Sequence, residues 1–207
     1  MAKLHIIGGA LIACLLAVAI GAGLIGGAGF APDVEAISQL QAWRSQSPSL
    51  TSLVIALTQF GSAYVTIGAG LLAAGWLALK RDRARAMVLA GAVIGERLMI
   101  DGLKLVIERA RPALDAHPVM TNSSSFPSGH AGNTMAGFLS IALIAAPPAW
   151  RRSAVVVAAA LSVAIGLTRP YLGVHWPSDV VGGWSLGIVI ALLAWRIAER
   201  RAPQQQH

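Results

Sequence analysis

The residues best suited to chemistry in this chain are a histidine and an aspartate in its C-terminal third. His175 and Asp179 are four residues apart, at the start of an apolar segment that is expected to be helical. A carboxylate one helical turn from an imidazole can accept a hydrogen bond from one ring nitrogen and leave the other free to attack. The pair therefore predicts an oriented nucleophile, although an aspartate in a first helical turn is also common as a cap.

A second polar cluster opens another apolar segment. Ser128, Gly129 and His130 follow Phe126 and Pro127, with Ser128 at the expected N-cap. The first N–H groups of a helix have no partners within it, and a glycine there allows a ligand to approach the backbone. This arrangement predicts an anion site at a helix N-terminus. An ordinary helix start with an incidental histidine is the alternative.

A stripe of charged residues crosses a third apolar segment. Its members are separated by four, three, four and three residues, so they share one helix face with alternating sign: Arg97, Asp101, Lys104, Glu108 and Arg111. Ionisable groups inside an apolar helix face the interior of a bundle or a wet cavity.

Two of these cations, Lys104 and Arg111, are expected to meet. They lie seven residues apart, which is two helical turns, at one end of the segment. Such a pair suits a dianionic ligand. For Arg97, Asp101 and Glu108, a ladder of ion pairs that holds helices in register is the favoured interpretation. Whether Glu96 or Asp101 tunes Lys104 stays open.

The rest of the chain is apolar enough to place these clusters in a membrane protein. Of 207 residues, 56% are hydrophobic and 12% are charged, and the mean hydropathy is +0.66. Six segments approach the ~20 residues that cross a bilayer. The sequence predicts an all-α, polytopic helical bundle forming a single domain over 1–207, with spans near 4–29, 50–79, 86–108, 128–147, 153–168 and 179–197.

The distribution of basic residues predicts the orientation of this bundle. Ten of the sixteen Lys and Arg residues lie on one side of the six-span arrangement, at Lys3, 80–85, 151–152 and 196–201. That side is expected to be cytoplasmic, with both termini inside. The segments 31–49, 109–127 and 169–178 then face outward and carry the polar clusters. Because the basic residues flank apolar segments, the net charge of +7 does not indicate a nucleic-acid partner.

Two local patterns predict how parts of the chain pack against the bilayer and against each other. Val34, Ile37, Leu40 and Trp43 recur every third residue, which predicts a short helix lying on the bilayer surface. The glycine pairs Gly91/Gly95 and Gly183/Gly187 have the spacing that allows close approach of helix backbones. A homodimer seam at such a face and the oligomeric state in general stay open.

Taken together, the three clusters resemble the type 2 phosphatidic acid phosphatase superfamily. Its pattern is K-x6-R-P, then P-S-G-H, then S-R-x5-H-x3-D. This chain has Lys104 to Arg111-Pro112, the run 127–130, and Arg169 to His175 to Asp179, in the same order and at the same spacings. The one departure is Thr168 in place of the usual serine, which keeps the hydroxyl.

The resemblance implies a role for each matching residue. His175 attacks phosphorus and becomes a phosphohistidine, Asp179 orients and polarises its ring, and His130 protonates the leaving oxygen and then activates water. The phosphate oxygens are bound by Lys104, Arg111, Ser128, Gly129 and Arg169. The fixed cations supply the charge that Mg²⁺ supplies elsewhere, so neither a metal nor a cofactor is expected.

The expected activity is removal of phosphate from a lipid in a bacterial inner membrane, with the site facing outward. Undecaprenyl pyrophosphate, phosphatidylglycerol phosphate and phosphatidate are candidate substrates, with a slight preference for the undecaprenyl carrier. A lipid A phosphatase or phosphotransferase with the same chemistry is an alternative. An anionic-lipid binding or transport protein, in which the charged stripe guides a headgroup, is an alternative of another class.

Overall fold

A computed structural model describes residue 9 and the ranges 30–113, 118–119 and 123–201. Across these ranges the chain forms helices and loops and no strands, which confirms the all-α prediction. The elements are α1 (Ala31–Ser45), α2 (Pro48–Gln59), α3 (Ala63–Leu79), α4 (Arg83–Ile107), α5 (Gly129–Ser140), a π-helix (Ile141–Ala145), α6 (Arg151–Tyr171) and α7 (Pro177–Arg201).

Three of the predicted spans correspond to helices that can cross a membrane by length and composition. Helices α6 and α7 qualify individually, and α2 with α3 qualifies as a pair bent by 42°. The predicted span 86–108 coincides with α4, whose second half carries charged side chains. The predicted span 4–29 lies outside the described residues, apart from Gly9.

Two predicted boundaries differ from the structure. The segment predicted as one span over 128–147 is a short α-helix continued by the π-helix, which ends at Ala145. Helix α6 extends beyond 168 to Tyr171 and places Arg169 in its last turn, so Arg169 is not in an outward loop as the sequence suggested. Helix α6 continues through Pro170, because so near a helix end the missing N–H removes only one hydrogen bond.

The true end of α6 is set by Gly173. Its φ of +73° lies in the left-handed region that favours glycine. The N–H of Val174 donates to the carbonyl of Arg169 at 3.2 Å, and the N–H of Gly173 donates to Pro170 at 2.9 Å. This Schellman turn reverses the chain directly before His175.

Helix α5 lies at the centre of the bundle and is buried along most of its length. It packs closely against α7 through glycine: a Cβ on Gly183 would lie 2.5 Å from the carbonyl oxygen of Ser128, and one on Gly187 would lie 2.7 Å from Met135 Cβ. The close-packing prediction is therefore confirmed for this pair. It is not confirmed for Gly91 and Gly95, where an added Cβ would meet nothing within 4 Å among the residues that the structure describes.

The outer surface of the bundle is strongly apolar. Tyr64, Leu79, Leu105 and Val106 are each more than three-quarters exposed. Side chains of this kind are stable in contact with lipid tails and would be costly in water. The protein is thus an all-α membrane helical bundle.

Helix α1 confirms the expectation of a short helix after residue 30, but not the way in which its apolar stripe packs. Ile37 is buried, and Leu40 packs against a cluster formed by Tyr171, Leu172 and Val174. Only Trp43 is largely exposed. The stripe packs on the turn between α6 and α7, so α1 is attached to the loop that carries His175.

Candidate active site

The His175–Asp179 pair is formed at the start of α7. Both side chains are buried, and His175 Nδ1 lies 3.4 Å from Asp179 Oδ2. On the other side of the ring, His175 Nε2 lies 3.2 Å from Arg111 Nη1. A guanidinium only donates and a carboxylate only accepts. The proton must therefore sit on Nδ1, which leaves the lone pair of Nε2 facing Arg111.

Asp179 is held rigidly by groups other than His175. Its Oδ2 accepts from the backbone N–H of Trp176 at 2.8 Å and from the hydroxyl of Ser125. Its Oδ1 accepts from Arg109 Nη1 at 2.6 Å. With both oxygens bonded and no solvent exposure, this carboxylate has a fixed position from which to orient the imidazole.

Arg109 belongs to a buried network that the sequence analysis missed. One nitrogen, Nη2, donates to Asp33 Oδ2 at 2.9 Å, and Nη1 also donates to Ser178 Oγ at 2.7 Å. Asp33 in turn accepts from the backbone N–H of Ser178 at 3.0 Å. Arg109 thus bridges two buried carboxylates and links α1 to the first turn of α7.

Lys104 and Arg111 meet, but not as successive turns of one helix. Helix α4 ends at Ile107, so Arg111 reaches the site from the following loop. Lys104 Nζ donates to the carbonyl of Ser124, and Arg111 Nη2 lies 3.4 Å from the same oxygen. Arg111 also donates to the carbonyls of Ser123 and Val174. Both cations are therefore held in place by loop carbonyls.

Arg169 is positioned by threonine hydroxyls. Its Nη1 donates to Thr58 Oγ1 at 2.8 Å, and the Thr168 hydroxyl donates to the same oxygen at 2.9 Å. Arg169 is buried, and its Nε has no hydrogen-bond partner within the described part of the chain. Thr168, the departure from the family pattern, thus helps to fix the threonine that orients Arg169.

Ser128, Gly129 and His130 form the N-terminus of α5 as expected. The backbone N–H of Ser128 donates to the carbonyl of Asp179 at 3.0 Å, which joins this helix end to α7. Ser128 occupies the N-cap position, but its side chain makes no capping bond, contrary to the expected role. Its buried Oγ has no partner among the described residues.

The structure brings the two histidines and the three cations into one electrostatic cluster. His175 and His130 each lie within the fields of Lys104, Arg111 and Arg169. Lys104, Arg111, His130, Arg169, His175 and Asp179 therefore come together from different parts of the chain, and Ser128 and Gly129 lie at the helix end beside them. Such a concentration of positive charge around an uncharged imidazole suits a phosphate group.

The remaining members of the charged stripe have different environments. Arg97 pairs with Asp101 at 2.8 Å, and both side chains are about two-fifths exposed. Glu108 is exposed and adopts a left-handed φ of 47° at the end of α4. Glu96, outside the stripe, is buried, and its Oε1 has no partner among the described residues. The stripe is therefore not one continuous ladder.

His175 is expected to stay uncharged at neutral pH. Burial lowers the pKa of its imidazole well below the usual 6.5, and the positive charge of Arg111 lowers it further. A lowered pKa means that the neutral form persists as the pH falls below 6.5. Nitrogen-15 NMR of histidine-labelled protein in detergent, assigned by comparison with His175→Gln, should show no protonation of this ring at pH 6. A titration midpoint of the His175 ring at pH 6.5 or higher would contradict the conclusion that burial lowers its pKa.

Fold and site together define a class: a helical membrane protein with a histidine–aspartate pair set among fixed cations. Residues 85–203 match the family model of the PAP2 superfamily. The chain is 33% identical to phosphatidylglycerophosphatase B of Bacillus subtilis (77% of this chain and 80% of that one). It is 30% identical to undecaprenyl-diphosphatase of Sulfolobus acidocaldarius, over 74% and 73% of the two chains.

The chain is also similar to a solved structure and to a relative with a third activity. The crystal structure of a transmembrane PAP2 type phosphatidylglycerolphosphate phosphatase from Bacillus subtilis superimposes with a TM-score of 0.84, covering 95% of this chain and 98% of that one at 25% identity. A lipid A 1-phosphatase of Rhizobium johnstonii is 32% identical over 66% of this chain. This chain belongs to the PAP2 superfamily and is a phosphatase. The membership confirms the resemblance and disfavours the transport alternative.

Proposed function

We propose that the protein hydrolyses a phosphorylated lipid through a phosphohistidine at His175. The observation that carries this proposal is the orientation of the imidazole. Asp179 accepts from Nδ1, and the Nε2 lone pair points toward the cation cluster, where it accepts from Arg111. A neutral, oriented imidazole is a competent nucleophile toward phosphorus.

The cradle for the transferring phosphate is formed by Lys104, Arg111 and Arg169 with the N-terminus of α5. Two buried donors there, the Ser128 hydroxyl and Arg169 Nε, have no partner among the described residues. Buried donors of this kind are costly unless an acceptor is supplied. Phosphate oxygens would supply it, and Arg111 would transfer its hydrogen bond from His175 Nε2 to the same group.

Catalysis then proceeds in two in-line displacements. The bond between phosphorus and His175 Nε2 forms as the bond to the lipid oxygen breaks, and the lipid leaves with that electron pair. His130 donates a proton to the departing oxygen and next removes one from the water that releases orthophosphate. The fixed cations neutralise the charge of the transferring group, so the proposed reaction requires no metal.

The role of His130 leads to a test with graded leaving groups. His130→Ala should slow lipids with alkoxide leaving groups by roughly 10²–10⁴-fold, the usual contribution of a general acid, and aryl phosphates much less. Rates of product release from an alkyl and an aryl phosphate, compared for wild type and variant, measure this. An equal loss for both substrates would exclude proton donation to the leaving group by His130.

We also propose the topology predicted from the sequence: a single domain over 1–207 with six spans, both termini cytoplasmic and the site facing outward from a bacterial inner membrane. Arg109, Arg111 and residues 123–128 meet the segment 172–179 at one end of the bundle. Lys80, Arg81 and Arg151 lie at the opposite ends of α4 and α6. This distribution supports the positive-inside assignment.

The substrate candidates are lipids with a terminal phosphate. Undecaprenyl pyrophosphate, phosphatidylglycerol phosphate and phosphatidate remain the first choices, and two of these correspond to the names of similar proteins. Lipid A is a second candidate, because two lipid A 1-phosphatases are similar to this chain.

Phosphate release in detergent with excess EDTA tests the proposal. Wild type should release phosphate from at least one of these lipids, and chelation should not lower the rate. EDTA-sensitive release that Mg²⁺ restores would contradict the metal-free mechanism. No release from any of the four lipids would contradict the proposed substrate class.

A further inference from the structure

A groove of about 640 Å³ runs from the candidate active site to the lipid-facing surface. Its outer wall comes from α3, where Tyr64, Ile67 and Leu71 are apolar. Tyr64 is 92% exposed, which places this end of the groove at the surface of the bundle. The inner end is polar and is formed by Arg97, His130 and Asn133. The groove is therefore amphipathic along its length.

The polar end lies on the leaving-group side of the proposed reaction. In an in-line displacement the leaving group departs opposite the attacking His175, toward the proposed proton donor His130. The groove begins at His130, so a departing lipid would already lie within it. The apolar wall suits its hydrocarbon chain.

Arg97 is a fourth cation, and it lines the groove together with His130. Its Nη1 lies 3.8 Å from the position of a Cβ on Gly129, directly beside the N-terminus of α5. It contributes to the positive field at His130. Arg97 thus extends the positive field beyond the phosphate cradle and into the groove.

Asn133 supplies an independent observation. It is 3% exposed, lines the polar end, and its Oδ1 has no hydrogen-bond partner within the described part of the chain. An unsatisfied buried amide calls for a polar ligand. Because the two ends of an amide can exchange places by rotation, Asn133 can present its NH₂ group to an anion.

We propose that Arg97 and Asn133 bind a second phosphate joined directly to the transferring one, so that lipid diphosphates are the preferred substrate class. This inference rests on the proposed function. A lipid diphosphate carries more negative charge than a monophosphate, and the extra charge lies on the leaving group. His175 Nε2 forms its bond to the terminal phosphorus, the bridging P–O bond breaks, and the lipid monophosphate departs with the electron pair toward Arg97.

Asp101 limits this subsite. It pairs with Arg97 Nη2 at 2.8 Å and neutralises part of its charge. A bound phosphate would share Arg97 with this carboxylate or displace it. Asp101→Asn should therefore raise the preference for diphosphates, in the direction opposite to the effect of removing Arg97.

The test compares two matched pairs of lipids: a prenyl diphosphate with its monophosphate, and diacylglycerol diphosphate with phosphatidate. The quantity measured is the ratio of kcat/KM for diphosphate to that for monophosphate. Arg97→Gln should lower this ratio about tenfold or more, since a hydrogen bond between charged groups is lost. Arg97→Lys should lower it less. Arg83→Gln, at the far end of the same helix, is the control and should leave the ratio unchanged.

An unchanged ratio in Arg97→Gln, including equal losses for both lipids, would overturn the proposal. Calorimetric measurement of the binding of inorganic pyrophosphate and phosphate tests the second-phosphate subsite separately from the proposed lipid phosphatase activity. Wild type should bind pyrophosphate more tightly, and Arg97→Gln should lose that preference. If wild type hydrolyses none of the lipids yet shows this Arg97-dependent preference, the subsite stands and the proposed function fails. If pyrophosphate has no advantage in wild type, the subsite is refuted whatever the lipid activity.

Discussion

Replacing His175 with alanine is expected to lower the rate of phosphate release by at least about 10⁴-fold, the scale of losing a nucleophile. His175 is the buried imidazole whose Nε2 faces the cations, and no other side chain is proposed to form a bond to phosphorus. The rate should be measured with the lipid that wild type cleaves fastest, with enzyme concentration set by folded protein after size exclusion.

His175→Gln provides the control for this experiment. Glutamine retains polar atoms near Asp179 but cannot form a phosphoramidate that turns over, so it should be as inactive as alanine. Thermal unfolding in detergent should show that both variants remain folded. Residual activity above about 1% in either variant would exceed the expected remainder by far and would exclude covalent catalysis by His175.

Replacing Arg109 with methionine is expected to destabilise the protein by about 3–5 kcal/mol, the usual cost of removing one partner of a buried ion pair. The change leaves Asp33 and Asp179 buried, close together and without their shared cation. In the molecules that remain folded, Asp179 should lose its fixed orientation, and kcat should fall by about 10²-fold, the effect of misplacing a catalytic group by ~1 Å. Denaturation in detergent and kcat per folded molecule measure the two effects.

Arg85→Met is the matched control for Arg109. Arg85 pairs with Asp82 at 3.5 Å, and both side chains are partly exposed, so its loss should cost no more than about 1 kcal/mol. Arg109→Lys should recover part of the stability but less of kcat, because an ammonium cannot bridge two carboxylates as a planar fork does. If Arg109→Met lowers stability but leaves kcat unchanged, the network is structural and does not position Asp179.

The sequence was most informative where residue type and helical spacing coincide. His175 and Asp179 lie one turn apart, and this local geometry survives in the fold. The run 127–130 predicted the start of α5 to the residue, because an N-cap position and a glycine are local signals. The composition of the apolar segments likewise predicted an all-α membrane bundle, which the structure and its PAP2 neighbour support.

Prediction failed where a contact joins distant parts of the chain. Asp33 and Arg109 are 76 residues apart, and no periodicity connects an aspartate in α1 with an arginine after α4. The only available signal was a second arginine two residues before Arg111. Thr58 supports Arg169 from 111 residues away, with no pattern to indicate it.

A further error came from applying helical spacing beyond the end of a helix. Lys104 and Arg111 were expected to be aligned by two turns of one helix, but α4 ends at Ile107. The two cations still converge, because the loop carbonyl of Ser124 lies within reach of both. The sequence thus predicted the correct neighbours for a reason that was only partly right.

The central claim is that His175 carries the phosphoryl group, and trapping that intermediate tests it most directly. A ³²P-labelled aryl phosphate, whose departure needs little proton donation, should be mixed with His130→Ala protein and quenched in alkali, where phosphohistidine is stable. Release of phosphate from the intermediate is expected to be slow in this variant. The proposal predicts label bound to protein, lost in acid, and mapped by peptide mass to His175. Rapid turnover with no bound label in wild type and His130→Ala, or label on another residue, would contradict it.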